Sequence, residues 1–541
     1  MKKILISMHV CLIAGLFTSC NDLDQYPTNK YTDETYWTSA DKALSVLNMA
    51  YSQMYNNDYF FNTESLSDNL YEGRGSSDEK IISSGQADPA TGRFANEWRN
   101  CYEGIKTCHA FLENVDRVAG MDEALKSRAK AEARFIRAFL FFRLANWYGD
   151  VPFFQQDITL SESKVIARTP QAEVIAFVRS ELDEIRDLLP TKEEYADADK
   201  GRITSGAAVA FKARTYLYAN DWENVVSSCE PLIRAVYGNY SLFRDYEGLF
   251  MPENEYNDEV ILDLAYVPSL RTWGNYFDLA PLSVGARVNA MSPTQELVDD
   301  YLMLNGRPVT DPLSGYDENA PYINRDPRLT ATVVYHEFPW KLANGQIQTI
   351  YIKPGSAPDQ TGQVDEYRGP GSNSTGTGYY LRKYYDPTAL AGITSGLNLI
   401  LIRYADILLM YAEAKNELGQ MDETVWNTTI RALRQRAGFT DPEALNFNNA
   451  WTQSDLRTLI HRERRTELAI ESLRIHDIRR WKTAENVLNT IPHGAKYGEA
   501  SIDNGYIRLD RRNFNKDRDY LWPVPQSQVD INRNLGQNPG Y

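Results

Sequence analysis

Apolar residues recur at helical spacing through residues 403–437, RYADILLMYAEAKNELGQMDETVWNTTIRALRQRA, and predict two helices packed back to back across a turn at Gly419-Gln420-Met421. Ala405, Leu408, Leu409, Ala412 and Leu418 form the stripe of the first helix, and small Ala405 and Ala412 let a neighbour come close. Trp426, Ile430, Leu433 and Ala437 answer from the second. One hairpin cannot bury its apolar face alone, so further copies are expected along the chain. Residues 206–235, GAAVAFKARTYLYANDWENVVSSCEPLIRA, repeat the layout. Residues 131–150 repeat its first half, and residues 170–189 can supply the partner. Asp41 to Met54, apolar at 44, 47, 50, 51 and 54, and Phe94 to Val118, with Trp98, Tyr102, Ile105 and Leu112 on one face, complete a first pair. The prediction is a mostly α fold of about four tetratricopeptide-like pairs.

Two stretches break the helical period. Tyr55 to Gly92 mixes Asn, Asp, Ser and Gly with Tyr59, Phe60, Phe61 and Tyr71, and reads as a long irregular segment whose aromatics argue against disorder. Residues 240–396 hold short extended runs, Glu259 to Leu264, Thr330 to Tyr335 and Gln348 to Ile352, separated by Pro and Gly. Within this insertion residues 267–287, VPSLRTWGNYFDLAPLSVGAR, carry Trp273, Tyr276 and Phe277 without a helical stripe, which suggests a surface in use.

The N-terminus adds a compartment. Lys2 and Lys3 precede an apolar run from Ile4 to Phe17, too short to span a bilayer and right for a secretory leader. Leu16-Phe17-Thr18-Ser19-Cys20 resembles a bacterial lipobox, so residues 1–19 read as a signal peptide, Cys20 as the lipidated residue and 20–37 as a tether before a domain over 38–541. An ordinary leader with a chance cysteine is the competing reading. Several acyl chains on one residue make an anchor stable where a single chain is marginal. Asp22 and Asp24 resemble the acidic export signal that follows the lipid cysteine in Bacteroidetes.

Composition narrows the chemistry. A formal charge of −16, two units lower once Lys2 and Lys3 leave, argues against a nucleic-acid partner. Six scattered His form no metal-ligand spacing. Asp197-Ala198-Asp199-Lys200-Gly201 is a fragment of a calcium loop, better read as a solvated turn. Cys101 and Cys108, about 10 Å apart on one helix, lie beyond disulfide reach and read as buried thiols. The 34 Tyr and 10 Trp are read one by one as filling helix interfaces, and a surplus of this size still leaves room for a wet aromatic surface. No GxSxG, HExxH or P-loop occurs.

A series of motifs then runs nearly the length of the chain: YEGLFMPENEYNDEVILDL, SPTQELVDDYLMLNGRP, RDPRLTATVVY, GYYLRKYYDP, NLILIRYADILLMYAEAKNELG, RERRTELAIESLRIHDIRRW and the terminal LWPVPQSQVDINRNLGQNPGY. Together they resemble the SusD/RagB family, the outer-membrane lipoproteins of Bacteroidetes that bind glycans at the cell surface. Leu302 and Asn305 stand where an acidic residue is usual, and Ser472 where Gly is common. The resemblance implies four tetratricopeptide-like pairs with loop and small-strand insertions carrying the ligand surface. It also implies no cofactor, no catalysis, and a SusC-like TonB-dependent barrel capped by the protein during glycan uptake. Its binding residues vary with the glycan and do not transfer by motif.

The candidates are therefore chosen by chemistry. A sugar ring lays C–H faces on aromatic rings, and its hydroxyls need planar, multi-donor partners. The first irregular segment offers Asp68, Asn69, Tyr71 and Arg74; the second offers Trp273, Asn275, Tyr276 and Phe277. Glu467, Glu471, Arg474, Asp477 and Arg479 read as structural ion pairs. The competing classes are a surface glycoside hydrolase, which needs only two carboxylates, and a tetratricopeptide adaptor for protein partners, which predicts an uninterrupted helical array.

Overall fold

The computed structural model describes residues 36–73, 75–274, 279–389 and 394–541. The four expected pairs are present. Ala40–Met54 packs on Gly92–Asn114, Glu123–Tyr148 on Gln171–Ile185, Ser205–Tyr218 on Trp222–Ile233, and Tyr404–Glu417 on the segment from Glu423 to Ala437. Successive pairs also touch one another, so the helices form one continuous row, and Gln453–Glu467 packs against its far end.

Local chemistry sets the boundaries. Ser39, Asp122, Thr204, Asp221 and Asp422 each cap a helix by accepting a backbone N–H from its first turn. Gly149, at φ 74°, ends the long helix of the second pair in a conformation that favours glycine. That helix starts eight residues before the repeat visible in sequence, because its first two turns are mostly polar. The second helix of the last pair contains a π turn at Asn427–Arg431.

The insertions are tied down by two-stranded antiparallel pairings. Leu70–Glu72 pairs with Met291–Pro293, Val260–Leu264 with Leu399–Arg403, Val333–Val334 with Tyr380–Leu381, and Phe338–Lys341 with Ile347–Ile350. Two expectations change here. The expected strand from Thr330 shortens to Val333–Val334, because Pro327–Thr332 forms a helical turn capped by Asp326. The stretch 55–92 is not irregular: Asn57–Ser65 and Asp78–Ser83 are helices. Phe60 and Phe61 are fully buried and meet edge to face 5.1 Å apart. A helix of nine residues buried on several sides leaves no amphipathic period to read.

The C-terminal motif folds back onto the second pair, where Trp522 stacks on Trp147 at 3.9 Å. Cys101, Cys108 and Cys229 are buried and unbonded, and burial pushes the thiols of Cys101 and Cys108 up to about 12. Ser472 adopts φ 64°, the left-handed conformation that favours the glycine it replaces. It is held there by Glu64, which accepts its N–H at 2.7 Å.

Charged groups between the last pair and Gln453–Glu467 form a buried lattice. Arg403 is fully buried and meets Glu259, Glu467 and Glu471 at 2.6, 2.6 and 2.8 Å. Arg328 joins Asp326, Glu463 and Glu467, and Arg464 joins Asp406 and Asp477. Arg479 departs from the expected pairing: it donates to the carbonyls of Asn146 and Tyr520.

Candidate functional site

The strand Leu70–Glu72 is the first wall of a surface cleft. Its pairing with Met291–Pro293 fixes Tyr71, and the chain then turns into Asp78–Ser83, capped by Ser77. At the turn the backbone of Gly73 lies against Gly376, and a Cβ on Gly73 would fall 2.8 Å from the Gly376 Cα, so a side chain there would part the two loops. The segment Asp510-Arg511-Arg512 closes the opposite side. Between them is a cleft of about 330 Å³ lined by Tyr71, Glu72, Lys80, Ile81 and that segment, enough for one or two sugar rings.

Its groups are mostly polar and linked. The Tyr71 hydroxyl donates to Asp510 at 2.7 Å, and Lys80 pairs with the same carboxylate at 2.8 Å while its ammonium lies 5.4 Å from the Tyr71 ring centre. Hydrogen bonds from Lys80 and Tyr71 hold the Asp510 carboxyl below its ordinary range. Burial raises Glu72, against the opposing effect of the Ser77 hydroxyl that it accepts. Arg512 lies beneath, donating to the carbonyls of Ser65 and Leu70 at 3.0 and 2.6 Å. Arg511 is exposed. An aromatic edge, a carboxylate and guanidinium donors around one concave space suit recognition of a polyhydroxylated ring.

Of the residues proposed from sequence, Tyr71 lines this cleft. Asp68 is 7% exposed and is paired with Arg465 and Arg474, each at 2.8 Å. Burial alone would raise its carboxyl, but the two guanidiniums outweigh burial and hold it well below the usual range. Asn69 is 1% exposed, donating to Glu64 at 3.1 Å and accepting from Arg465 at 2.9 Å. Both serve internal contacts where surface groups were expected.

Trp273 changes most. It is 2% exposed, its indole N–H donates to the Leu397 carbonyl at 2.7 Å, and its ring lies 5.2 Å from Phe61. Among the described residues the two aromatic segments meet through the core rings Phe61 and Trp273. Arg74, Asn275, Tyr276, Phe277 and Cys20 lie outside the described residues.

Sequence reasoning missed Lys80, Asp510, Arg511 and Arg512. The signal available was a run of three charged residues, Asp510-Arg511-Arg512, beyond the last helical repeat and without a helical face on which to pair. Asp199, in the fragment of a calcium loop, is instead held by Arg128 and Arg202 at 3.0 and 2.7 Å.

The architecture is thus a row of helical pairs whose insertions build a polar, aromatic-edged cleft. Comparison with known proteins supplies the family. A profile described as the SusD family matches residues 265–541, and one described as starch-binding associating with outer membrane matches 21–217. The chain belongs to the SusD family. It is 25% identical to SusD-like protein P2 of Formosa agariphila, with all of both chains covered. It is also 25% identical to the starch-binding protein SusD of Bacteroides thetaiotaomicron, over 79% of this chain and 75% of that one. Among solved structures, a SusD-like carbohydrate binding protein from Bacteroides fragilis superposes with a TM-score of 0.82 at 28% identity, covering 93% of this chain and all of the other. A laminarin binding SusD-like protein shares the fold, with a TM-score of 0.67 at 23% identity over 93% of this chain and all of the other.

Proposed function

We propose that the protein is a cell-surface lipoprotein that captures oligo- or polysaccharide in the Tyr71 cleft and hands it to a SusC-like TonB-dependent barrel, without cleaving it. The observation that carries this reading is the cleft itself. Tyr71, Asp510 and Arg511 place an aromatic edge beside a carboxylate and a guanidinium, in a chain whose family includes a starch-binding member. Anchoring through Cys20 is the reading of the lipobox-like Leu16-Phe17-Thr18-Ser19-Cys20, and is consistent with the family description that names the outer membrane. Arg74, beside Gly75 of the cleft lining, and Asn275, Tyr276 and Phe277 stay candidates for ligand contact on chemical grounds.

Isothermal titration against a panel that includes laminarin and starch tests the reading. At least one glycan should bind, and Tyr71→Ala should weaken it about fivefold or more, on the order of 1 kcal/mol for a lost aromatic contact. The bound oligosaccharide should show no new reducing ends after long incubation. Hydrolysis abolished by a single carboxylate substitution would instead make the protein a glycosidase.

A further inference from the structure

The charges around the cleft do not balance, and the imbalance has the opposite sign to that of the chain. Lys80 and Asp510 neutralise each other at 2.8 Å. Arg511 is exposed and makes no ion pair or side-chain hydrogen bond among the described residues. Arg512 is 4% exposed and has no carboxylate partner among them. Two of its nitrogens donate to the neutral carbonyls of Ser65 and Leu70, and its buried Nε–H has no acceptor. Glu72, the other carboxylate of the lining, is engaged by the Ser77 hydroxyl, and the charges of Asp68 and Glu296 reach Arg512 without an ion-pair contact.

Most buried guanidiniums elsewhere in the molecule meet carboxylates, although Arg325 and Arg479, like Arg512, donate to backbone carbonyls. Arg403, Arg328 and Arg464 each meet two or three. What sets Arg512 apart is its place at a cleft floor beside Arg511, which is exposed and unpaired among the described residues, so the two leave positive charge that an anion in the cleft can meet. The guanidinium fork fits the paired oxygens of a carboxylate or sulfate better than it fits a hydroxyl.

We propose that this cleft selects glycans bearing an anionic substituent, a carboxylate or a sulfate ester, which Arg511 binds directly while Arg512 supplies charge from beneath. This rests on the glycan-binding reading and narrows it to acidic sugars. Because the whole chain carries −16, the attraction is local. A polyanion therefore engages the protein only where its substituent reaches Arg511, and added salt weakens the contact.

Titration calorimetry on the purified full-length protein with matched pairs separates charge from sugar backbone. Oligogalacturonate is compared with its methyl ester for the carboxylate, and sulfated with desulfated carrageenan oligosaccharides for the sulfate. Neutral laminarin and starch form the third arm. The acidic member of one pair should bind about tenfold more tightly than its neutral counterpart, and the pair in which this occurs names the substituent. Arg511→Ala should remove that preference and Arg511→Lys restore part of it, with the melting temperature unchanged because the side chain is exposed. Raising NaCl to 0.5 M should erode the acidic affinity alone. Neutral glycans that bind as well as acidic ones, or an acidic preference that survives Arg511→Ala, would overturn the anion subsite and leave glycan binding standing. No binding by any member of the panel would overturn the glycan reading and the subsite with it.

Discussion

Trp273 and Tyr71 are both buried aromatic residues in non-helical segments, yet their surroundings assign them different work, because Tyr71 lines the cleft while Trp273 is packed among core rings. The Trp273 indole is enclosed by Phe61 and anchored on Leu397, so Trp273→Ala should open a large core cavity and cost roughly 3–5 kcal/mol. The melting temperature should fall sharply, while affinity measured where the variant is still folded should match the parent. A weakened affinity with an unchanged melting temperature would put Trp273 back at the ligand. Asp263 gives a second residue-scale test. Burial, assisted by the charge of Glu255 and opposed by a hydrogen bond from Asn398, raises its carboxyl to about 7. A carboxyl raised on folding binds its proton more tightly in the native state. Its contribution is therefore complete below the unfolded value of about 4 and is lost as pH rises toward 7. Burial, opposed by hydrogen bonds from Asn69 and the Ser472 N–H, raises Glu64 to about 7 as well, so it adds a loss over the same window. Asp263→Asn should remove its share, on the order of 1–4 kcal/mol at pH 8. The melting-temperature difference between variant and parent should therefore shift in the variant's favour from pH 4 to pH 8, and a flat difference would refute the assignment.

Elements in this molecule are joined by charge as well as by apolar packing. Arg403, at the end of the strand Leu399–Arg403, ties that strand to Glu259 beside its partner strand and to Glu467 and Glu471 at and beyond the end of Gln453–Glu467. Removing one member of such a lattice leaves buried carboxylates without their cation, so Arg403→Met should cost about 3–5 kcal/mol in urea unfolding. Arg457→Met, at an ion pair with Glu417 in which the Arg457 side chain is 40% exposed, should cost under about 1 kcal/mol. Equal costs would mean that the lattice is no more than surface pairing. The hairpins were legible because Ala405, Leu408 and Ala412, or Ala207, Ala210 and Leu217, mark one face of an element long enough to show its period. The short helix Asn57–Ser65 was not, because Phe60 and Phe61 are enclosed by tertiary partners such as Trp273 and Tyr384 that local sequence does not announce. The cleft was half legible for the same reason: Tyr71 could be chosen by its chemistry, but its partner Asp510 is 439 residues away.

At the scale of the whole molecule, the scaffold is more extensive than the cleft requires. A cleft of about 330 Å³ occupies one corner of a chain whose helical pairs run in a continuous row. Tetratricopeptide-like rows of this kind present long surfaces that suit a macromolecular partner. Among the described residues no helix is long and apolar enough to cross a membrane. In the proposed function the SusC-like barrel is what carries a captured glycan through the outer membrane. A handover by diffusion would release the glycan to the medium, whereas a standing complex keeps it at a high effective concentration over the channel mouth. The expected outcome is that native lipoprotein, extracted in mild detergent, brings down a TonB-dependent barrel. Cys20→Ala should shed the protein from the cell, and Tyr71→Ala should leave the complex intact because its contacts lie within the cleft and not at the proposed barrel interface. Recovery of free monomer alone across several detergents would count against the standing complex. Loss of the barrel in the Tyr71→Ala variant would mean that the cleft is part of the protein interface and not a sugar site.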